Sequence, residues 1–599
     1  MSAHAQTLPA ASWTEQVNHK WRPLDVSSGT KTGFTLLAPN QSGVQFRNEL
    51  DKEKSLQNQV YLNGSGVALG DVDGDGRCDI YLCGLDNPNQ LYLNKGNWKF
   101  EEAANDYGAD CTGKDSTGAV FADLDSDGDL DLIVNTVHSG TLLFRNSGAR
   151  FSQVHGQAAE LSGARGGMSL AVADVDADGR LDFYATYYRD TTLMDMPNTY
   201  FKFRTIGGRK VVSSVDGVPV EGSKYENRFR LNESGGIEEN GRPDVLYRNL
   251  GQFRFERNEV GGRRFLSANG SPLPGPLYEW GLSAMFRDVN RDGRPDIYVC
   301  NDFDGHDRLW LNAGQGRFRE APILALRKTS MFSMGVDFAD INRDGLDDFL
   351  VMDMLNTSHR TQMNQMLPRL QYQPIPGRYN DRQQIMRNTL LLNRGYGLFS
   401  EIANYAGIAA SDWSWCVIFM DVDLDGLEDV LITNGVERNA RHLDTIIKLR
   451  KQRENKKLSN REILLARRVF PAQDTPNVAF RNLDGLRFEG SAADWGFDTK
   501  AVSHGMACGD LDGDGDLDVV VNNLRTPAGV YRNNAPKPRI AVRLSGPPGN
   551  TTGIGARIEL EHVGRTQSQE MIGGGRYLSS DDYVRVFALL EGSGRLKVI

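Results

Sequence analysis

Asp71-Val72-Asp73-Gly74-Asp75-Gly76-Arg77-Cys78-Asp79 reads D-x-D-x-D-G-x-x-D, and the pattern occurs seven times, with further copies opening at Asp123, Asp174, Asp288, Asp340, Asp421 and Asp510. Each copy has an acid or Asn at positions one, three and five, Gly at six and Asp at nine. Oxygen donors at alternate positions of a tight loop suit Ca²⁺, a hard cation that gathers six to eight oxygens. Gly at six permits the positive φ that folds the chain around an ion. The carbonyl of position seven can add a ligand, and Asp at nine can close the shell with both oxygens. A single such loop is equally an Asp/Gly hairpin turn; seven of them point to a metal.

The expected ligands follow position by position, for up to seven Ca²⁺. In the first two loops they are Asp71, Asp73, Asp75, Arg77 and Asp79, then Asp123, Asp125, Asp127, Asp129 and Asp131. The third and fourth supply Asp174, Asp176, Asp178, Arg180 and Asp182, then Asp288, Asn290, Asp292, Arg294 and Asp296. The fifth and sixth supply Asp340, Asn342, Asp344, Leu346 and Asp348, then Asp421, Asp423, Asp425, Leu427 and Asp429. The seventh supplies Asp510, Asp512, Asp514, Asp516 and Asp518. Loops four and five, with Asn at position three, keep three carboxylates and should bind more weakly.

A short apolar strand precedes each loop, as in Ala119-Val-Phe-Ala, and a second follows it, as in Leu132-Ile-Val-Asn. Position two is always apolar (Val72, Leu124, Val175, Val289, Ile341, Val422, Leu511) and is expected to plug the loop into a core. A third strand ends in Asn at 94, 146, 249, 312, 393, 482 and 533. An outer strand with Phe follows at 100, 151, 255, 318, 399 and 488. Adjacent loops without insertions are 51 or 52 residues apart. Four short antiparallel strands at this period predict a β-propeller, here of seven blades, over residues 31–535. The last unit lacks its outer strand; the segment around Phe34 should supply it and close the ring.

Three units carry insertions, at about 188–243, 354–388 and 435–476, all between their second and third strands. Strand direction puts these on the face away from the calcium loops, and a shared face suggests a binding surface. Leu443 to Arg453 has helical composition, and Ser459-Asn-Arg-Glu462 reads as a capping box. Residues 441–470 hold ten Lys/Arg against three Asp/Glu, a solvated helical face or a site for an acidic partner.

The net charge of −10 would be more than offset by seven divalent ions, and nothing in it suggests nucleic-acid binding. No stretch approaches the roughly 20 apolar residues of a membrane span. None of the six cysteines sits in a CxxC pair, so zinc is not expected. They read as buried thiols, with Cys83 and Cys111 a conceivable pair. Residues 1–30 form a separate segment in which Ala3-His4-Ala5 resembles the end of a signal peptide, or is simply a small-residue terminus. Residues 536–599 read as a small β-rich domain that stops within an apparent strand, as if truncated.

The seven units resemble FG-GAP/VCBS repeats of integrin-α-like propellers. The tail, with Gly553-Ile-Gly-Ala-Arg and Gly573-Gly-Gly-Arg-Tyr-Leu-Ser, resembles an ASPIC/UnbV domain. The pairing is similar to bacterial relatives of cartilage acidic protein, which implies a secreted calcium-binding protein. It carries over calcium ligands and no catalytic residues. The first functional expectation is an extracellular, cell-surface or periplasmic binding or adhesion module for a protein or glycan, with structural calcium and no enzymatic activity. The alternative is an enzyme at the insertion-face channel mouth, using Trp280, Trp415, His504 or the cluster Asp302, Asp304, His306 and Asp307.

Overall fold

The computed structural model describes residues 13–598 apart from 27–30, 149, 156–160, 162, 164, 233, 304, 366–381, 456, 563 and 591–593. The Ala3-His4-Ala5 segment lies outside the described residues. The rest is dominated by β-structure. Seven sheets each contain one loop motif between their first two strands. The first sheet is Val67–Gly70, Asp79–Leu82, Gln90–Asn94 and Phe100–Glu102, paired antiparallel in that order. Its loop joins Gly70 to Asp79, which face each other in register, and Asn94 faces Phe100 across the outer pair.

The first strands contact one another in cyclic order. Val67–Gly70 lies beside Ser116–Ala122, then follow Gly167–Ala173, Gly281–Arg287, Val336–Ala339, Ser414–Met420 and Val502–Gly509, and the last returns to Val67–Gly70. These strands are small and apolar because both faces pack against neighbouring sheets. The position-two residues are all buried, as their apolar character predicts.

The strand-end asparagines latch neighbouring sheets. Asn146 donates from Nδ2 to the carbonyl of Val72, the position-two residue of the preceding loop, at 2.9 Å. Asn94 reaches Leu511 in the same way, Asn249 reaches Leu124, and Asn312 reaches Val175. Asn393 and Asn482 repeat the contact at 3.3 and 3.2 Å. Asn533 is the exception: its Nδ2 is buried with no partner among the described residues.

The seventh sheet takes its outer strand from the start of the chain. Phe34–Leu36 pairs antiparallel with Gly529–Asn533, Phe34 facing Asn533. Its ring packs 5.7 Å from Phe497 and 6.3 Å from Tyr531.

The tail is not an appendage following the sheets. Its strands lie over the loops, and Thr551 donates to Asp123, Arg557 pairs with Asp347, and Arg539 pairs with Asp514. Residues 573–583 then descend among the inner strands. Gly573–Gly574 pairs with Gly167–Ala173, Ser580 bridges to Ala68, and Tyr583 donates to the Phe121 carbonyl. The descent needs glycine: a Cβ on Gly66 would lie 1.7 Å from the Leu578 carbonyl oxygen. Arg576, fully inside, forms ion pairs with Asp337 of the fifth sheet and with Asp581. The six cysteines are free thiols, Cys83 and Cys111 included; Cys111 instead meets the Tyr81 hydroxyl at 3.7 Å.

Candidate metal loops and the cavity beneath the insertions

Backbone amides preset the loops. In the first, the amide of Gly76 donates to Asp71 at 2.8 Å and that of Arg77 to Asp75 at 2.9 Å. Asp79 accepts from Val72 on one oxygen and from Asn94 on the other. The position-nine Asp therefore anchors loop and third strand as well as joining the carboxylate cluster, which the sequence pattern alone does not reveal.

Five loops bring three carboxylates together, each offering an oxygen within 4.8 Å of the others: Asp71, Asp73 and Asp79; Asp123, Asp125 and Asp127; Asp174, Asp176 and Asp182; Asp421, Asp423 and Asp425; Asp510, Asp512 and Asp514. Burial pushes the position-nine carboxyls up, Asp79 and Asp131 to about 8 and Asp348 to about 9. Buried oxygens of Asp125, Asp176, Asp296, Asp348, Asp423 and Asp514 have no hydrogen-bond partner among the described residues. Unsatisfied, converging carboxylate oxygens fit an oxygen-seeking divalent cation, which would supply the missing charge. In loops four and five the amides of Asn290 and Asn342 donate to Asp292 and Asp344, 3.2 and 3.0 Å away.

Arginine side chains attend the loops, some from position seven and some from the third strand. Arg77 and Arg294 reach the position-five carboxylates Asp75 and Asp292 at 2.5 and 2.8 Å, and Arg180 does the same with Asp178. Arg145, Arg248, Arg481 and Arg532, each one residue before the latch Asn, contact position three of their own loops. They neutralise part of the charge without occupying the cluster of carboxylates.

The three insertions do join the second and third strands of their sheets. Helix Leu443–Asn455 and helix Asn460–Ala466, with Ser459 and Glu462 completing the capping box, form the third. Beneath them lies a cavity of about 970 Å³. Its walls come from the first insertion (Tyr188, Leu193), the third (Ile446, Leu449, Ile463, Phe470), the segment Lys52 to Asn63, and the sheet ends carrying Phe303, Phe332, Met334 and Trp415. The second insertion contributes Met354, and its helix His359–Gln365 touches Leu443–Asn455.

Of the candidates for catalysis, Asp302 and Trp415 line this cavity. Asp302 accepts from the Tyr188 hydroxyl at 2.9 Å, and burial pushes its carboxyl up to about 7. Asp307 turns inward, bonded to the hydroxyls of Tyr298 and Ser333, and Trp280 donates to the Glu239 carbonyl. His504 is fully buried against the Trp415 ring, 4.9 Å between centroids, with its Nε2 3.0 Å from the Leu62 carbonyl. His306 is absent from the cavity wall, and Asp304 lies outside the described residues. Among the described residues, Trp280, His306, Asp307 and His504 lie off the cavity wall.

This combination of Asp-rich loops on repeated four-stranded units has counterparts. Residues 71–134, 127–185 and 288–351 match the FG-GAP-like repeat, and residues 546–598 match the ASPIC and UnbV domain. The chain is homologous to cartilage acidic protein 1. It is 28% identical to the Xenopus tropicalis protein over 321 residues, covering 46% of this chain and 45% of that one. It is 26% identical to the Homo sapiens protein over 306 residues, covering 44% and 43%. The matched stretch thus spans less than half the length of these relatives. Among solved structures, an Agrocybe aegerita lectin described as recognising non-reducing terminal N-acetylglucosamine aligns at 14% identity and a TM-score of 0.37, over 77% of this chain and 86% of that one. No described helix is long and apolar enough to cross a membrane.

Proposed function

We propose that the chain is an extracellular binding or adhesion module built on a closed seven-bladed β-propeller, with Ca²⁺ in its loops as a structural ion. The cyclic order of inner-strand contacts supports the ring. The orphaned carboxylate oxygens support the ion. The observation that carries the functional reading is the cavity of about 970 Å³ where the insertions meet, on the face opposite the loops. Cavities of this size usually hold small molecules or side chains of a partner. A catalytic reading gains nothing from the dispersed Asp307, Trp280 and His504.

The test compares the full chain with one whose three insertions are cut to short turns, both applied to glycan, peptide and lipid arrays. Ligands should be bound by the first and lost by the second, while both unfold cooperatively. Hits that persist after trimming, or that depend only on the loop face, overturn the assignment.

A further inference from the structure

The cavity is chemically two-sided. Its floor is aromatic and continuous: Phe303 lies 5.9 Å from Phe332 and 6.3 Å from Tyr188, and Trp280, outside the wall, packs at 4.6 Å in a tilted contact with Tyr188 and 5.5 Å from Phe303. Trp415 and the roof residues Ile446, Leu449 and Ile463 extend the apolar lining. The rim is cationic, with Arg438, Arg441, Arg450, Arg453, Arg467 and Arg468 all at the wall. Two of these are neutralised within the chain, Arg467 by Asp195 and Arg468 by Glu53. The acids of the lining are engaged elsewhere: Glu437 pairs with Arg525 at 2.9 Å and Asp302 holds the Tyr188 hydroxyl.

Four guanidiniums remain without a carboxylate partner among the described residues. Arg438 donates to the Phe470 carbonyl, and Arg441 lies 4.4 Å over the Phe332 ring with one nitrogen near the Met386 sulfur. Arg450 and Arg453 are exposed on the same helix. Burial disfavours the Arg441 charge, and Asp353 and Asp302 only partly oppose that effect. Asp353 is itself taken up by the Ser330 hydroxyl and the amides of Met331 and Phe332. A half-buried guanidinium over an aromatic face has no carboxylate in ion-pair contact among the described residues, with Asp353 and Asp302 acting on it only from a distance, and charged groups held away from water normally have a direct partner.

We propose that this cavity binds an amphipathic organic anion, its apolar body on the Phe303–Phe332–Trp415 floor and its acidic head against Arg441, Arg450 and Arg453. This rests on the binding-module reading above and specifies its ligand. A carboxylate, sulfonate or phosphate head would meet the guanidiniums through charge-assisted hydrogen bonds. The body would be held by burial of apolar surface.

The experiment titrates the full chain with anilinonaphthalene sulfonate and with neutral phenylnaphthylamine, following fluorescence, and displaces each with dodecanoate or dodecanol. One saturable site should prefer the sulfonate, and dodecanoate should displace it at lower concentration than dodecanol. Arg441→Gln should weaken the sulfonate about tenfold while leaving phenylnaphthylamine unchanged, as expected for one lost charge-assisted contact. The double variant R450Q/R453Q changes only exposed side chains and gives a second reading should the Arg441 variant not fold. Equal binding of both dyes, unaffected by these variants but lost on trimming the insertions, overturns the anion assignment and leaves the module standing. No saturable site for either dye overturns both.

Discussion

The Tyr577 hydroxyl donates a 2.8 Å hydrogen bond to the carbonyl of Asn63, a residue 514 positions earlier. Tyr577 belongs to the tail that covers the Asp-rich loops, yet its ring is 5.5 Å from Trp415, which lines the cavity on the far face. The tail therefore runs the depth of the ring and joins its two faces.

Residue Arg576 makes that joint strong. Replacing it with Met leaves Asp337 and Asp581 buried without their common cation, and breaking a buried pair in this way costs about 3–5 kcal/mol. Tyr577→Phe removes a single hydrogen bond and should cost about 1 kcal/mol. Urea unfolding of the two variants measures the contrast; equal, small effects would show that the tail is not structurally integral.

Filling the loops should stabilise the fold by mass action. A site saturated at a hundred times its Kd contributes about 2.7 kcal/mol. A chelator is expected to lower Tm, with recovery on adding Ca²⁺ greater than on adding Mg²⁺, whose small octahedral shell suits these loops less well. A melting curve indifferent to chelator and to both ions contradicts structural calcium.

The latch asparagines give an internal comparison. Asn146→Ala removes donors to Val72 and Leu130 and exposes neither carbonyl to water, a loss of about 2 kcal/mol. Asn533→Ala, at the seam, removes an amide nitrogen that has no partner among the described residues and should cost clearly less. The ordering of the two midpoints in denaturant is the readout, and a reversal refutes the latch.

Closure at that seam depends on the first strand. Deleting residues 1–40 removes the pairing of Phe34–Leu36 with Gly529–Asn533 and leaves an open edge, so aggregation or loss of cooperative unfolding is expected. Deleting residues 1–25 spares it. Light scattering and unfolding curves that do not distinguish the two deletions count against closure by this strand.

Acid should act through His504. Burial lowers its pKa to about 4 from an ordinary 6.5. Between these values the unfolded chain binds the extra proton, so this contribution to stability is complete above about pH 6.5 and lost as pH falls towards 4, by up to about 3 kcal/mol. His504→Gln should flatten that part of the stability profile relative to the parent chain. Parallel profiles for the two proteins would mean that His504 does not titrate in this way.

The loops, strand pairs and insertion face were legible in the sequence because each depends on local spacing. Asp71 to Asp79 encode a turn, Val72 its anchor, and the length between Tyr187 and Val245 an insertion. The cap at Ser459 was readable for the same reason. The passage of residues 573–583 through the ring was not. It has no periodicity, and its only signal is three successive glycines followed by Arg576 and the acids Asp581 and Asp582; Arg576 pairs with Asp581 nearby, but its other partner, Asp337, lies more than two hundred residues away. The strand-borne arginines Arg145, Arg248, Arg481 and Arg532 were missed because their placement against the loops follows from strand pairing. The cavity's character was half visible: the basic helix stood out, but its aromatic floor is assembled from Trp415 and from Tyr188, Phe303 and Phe332 in separate connections beyond the strand ends.

The descent of residues 573–583 also sets an order of events. Chains are made from the N-terminus, and compact domains ordinarily settle as they emerge. Here the strand at Phe34 waits for Asn533, and the centre is filled by still later residues. Sheets formed early would stand around a vacant axis until residues 573–583 arrive. Productive folding is then dominated by distant contacts, and correspondingly slow.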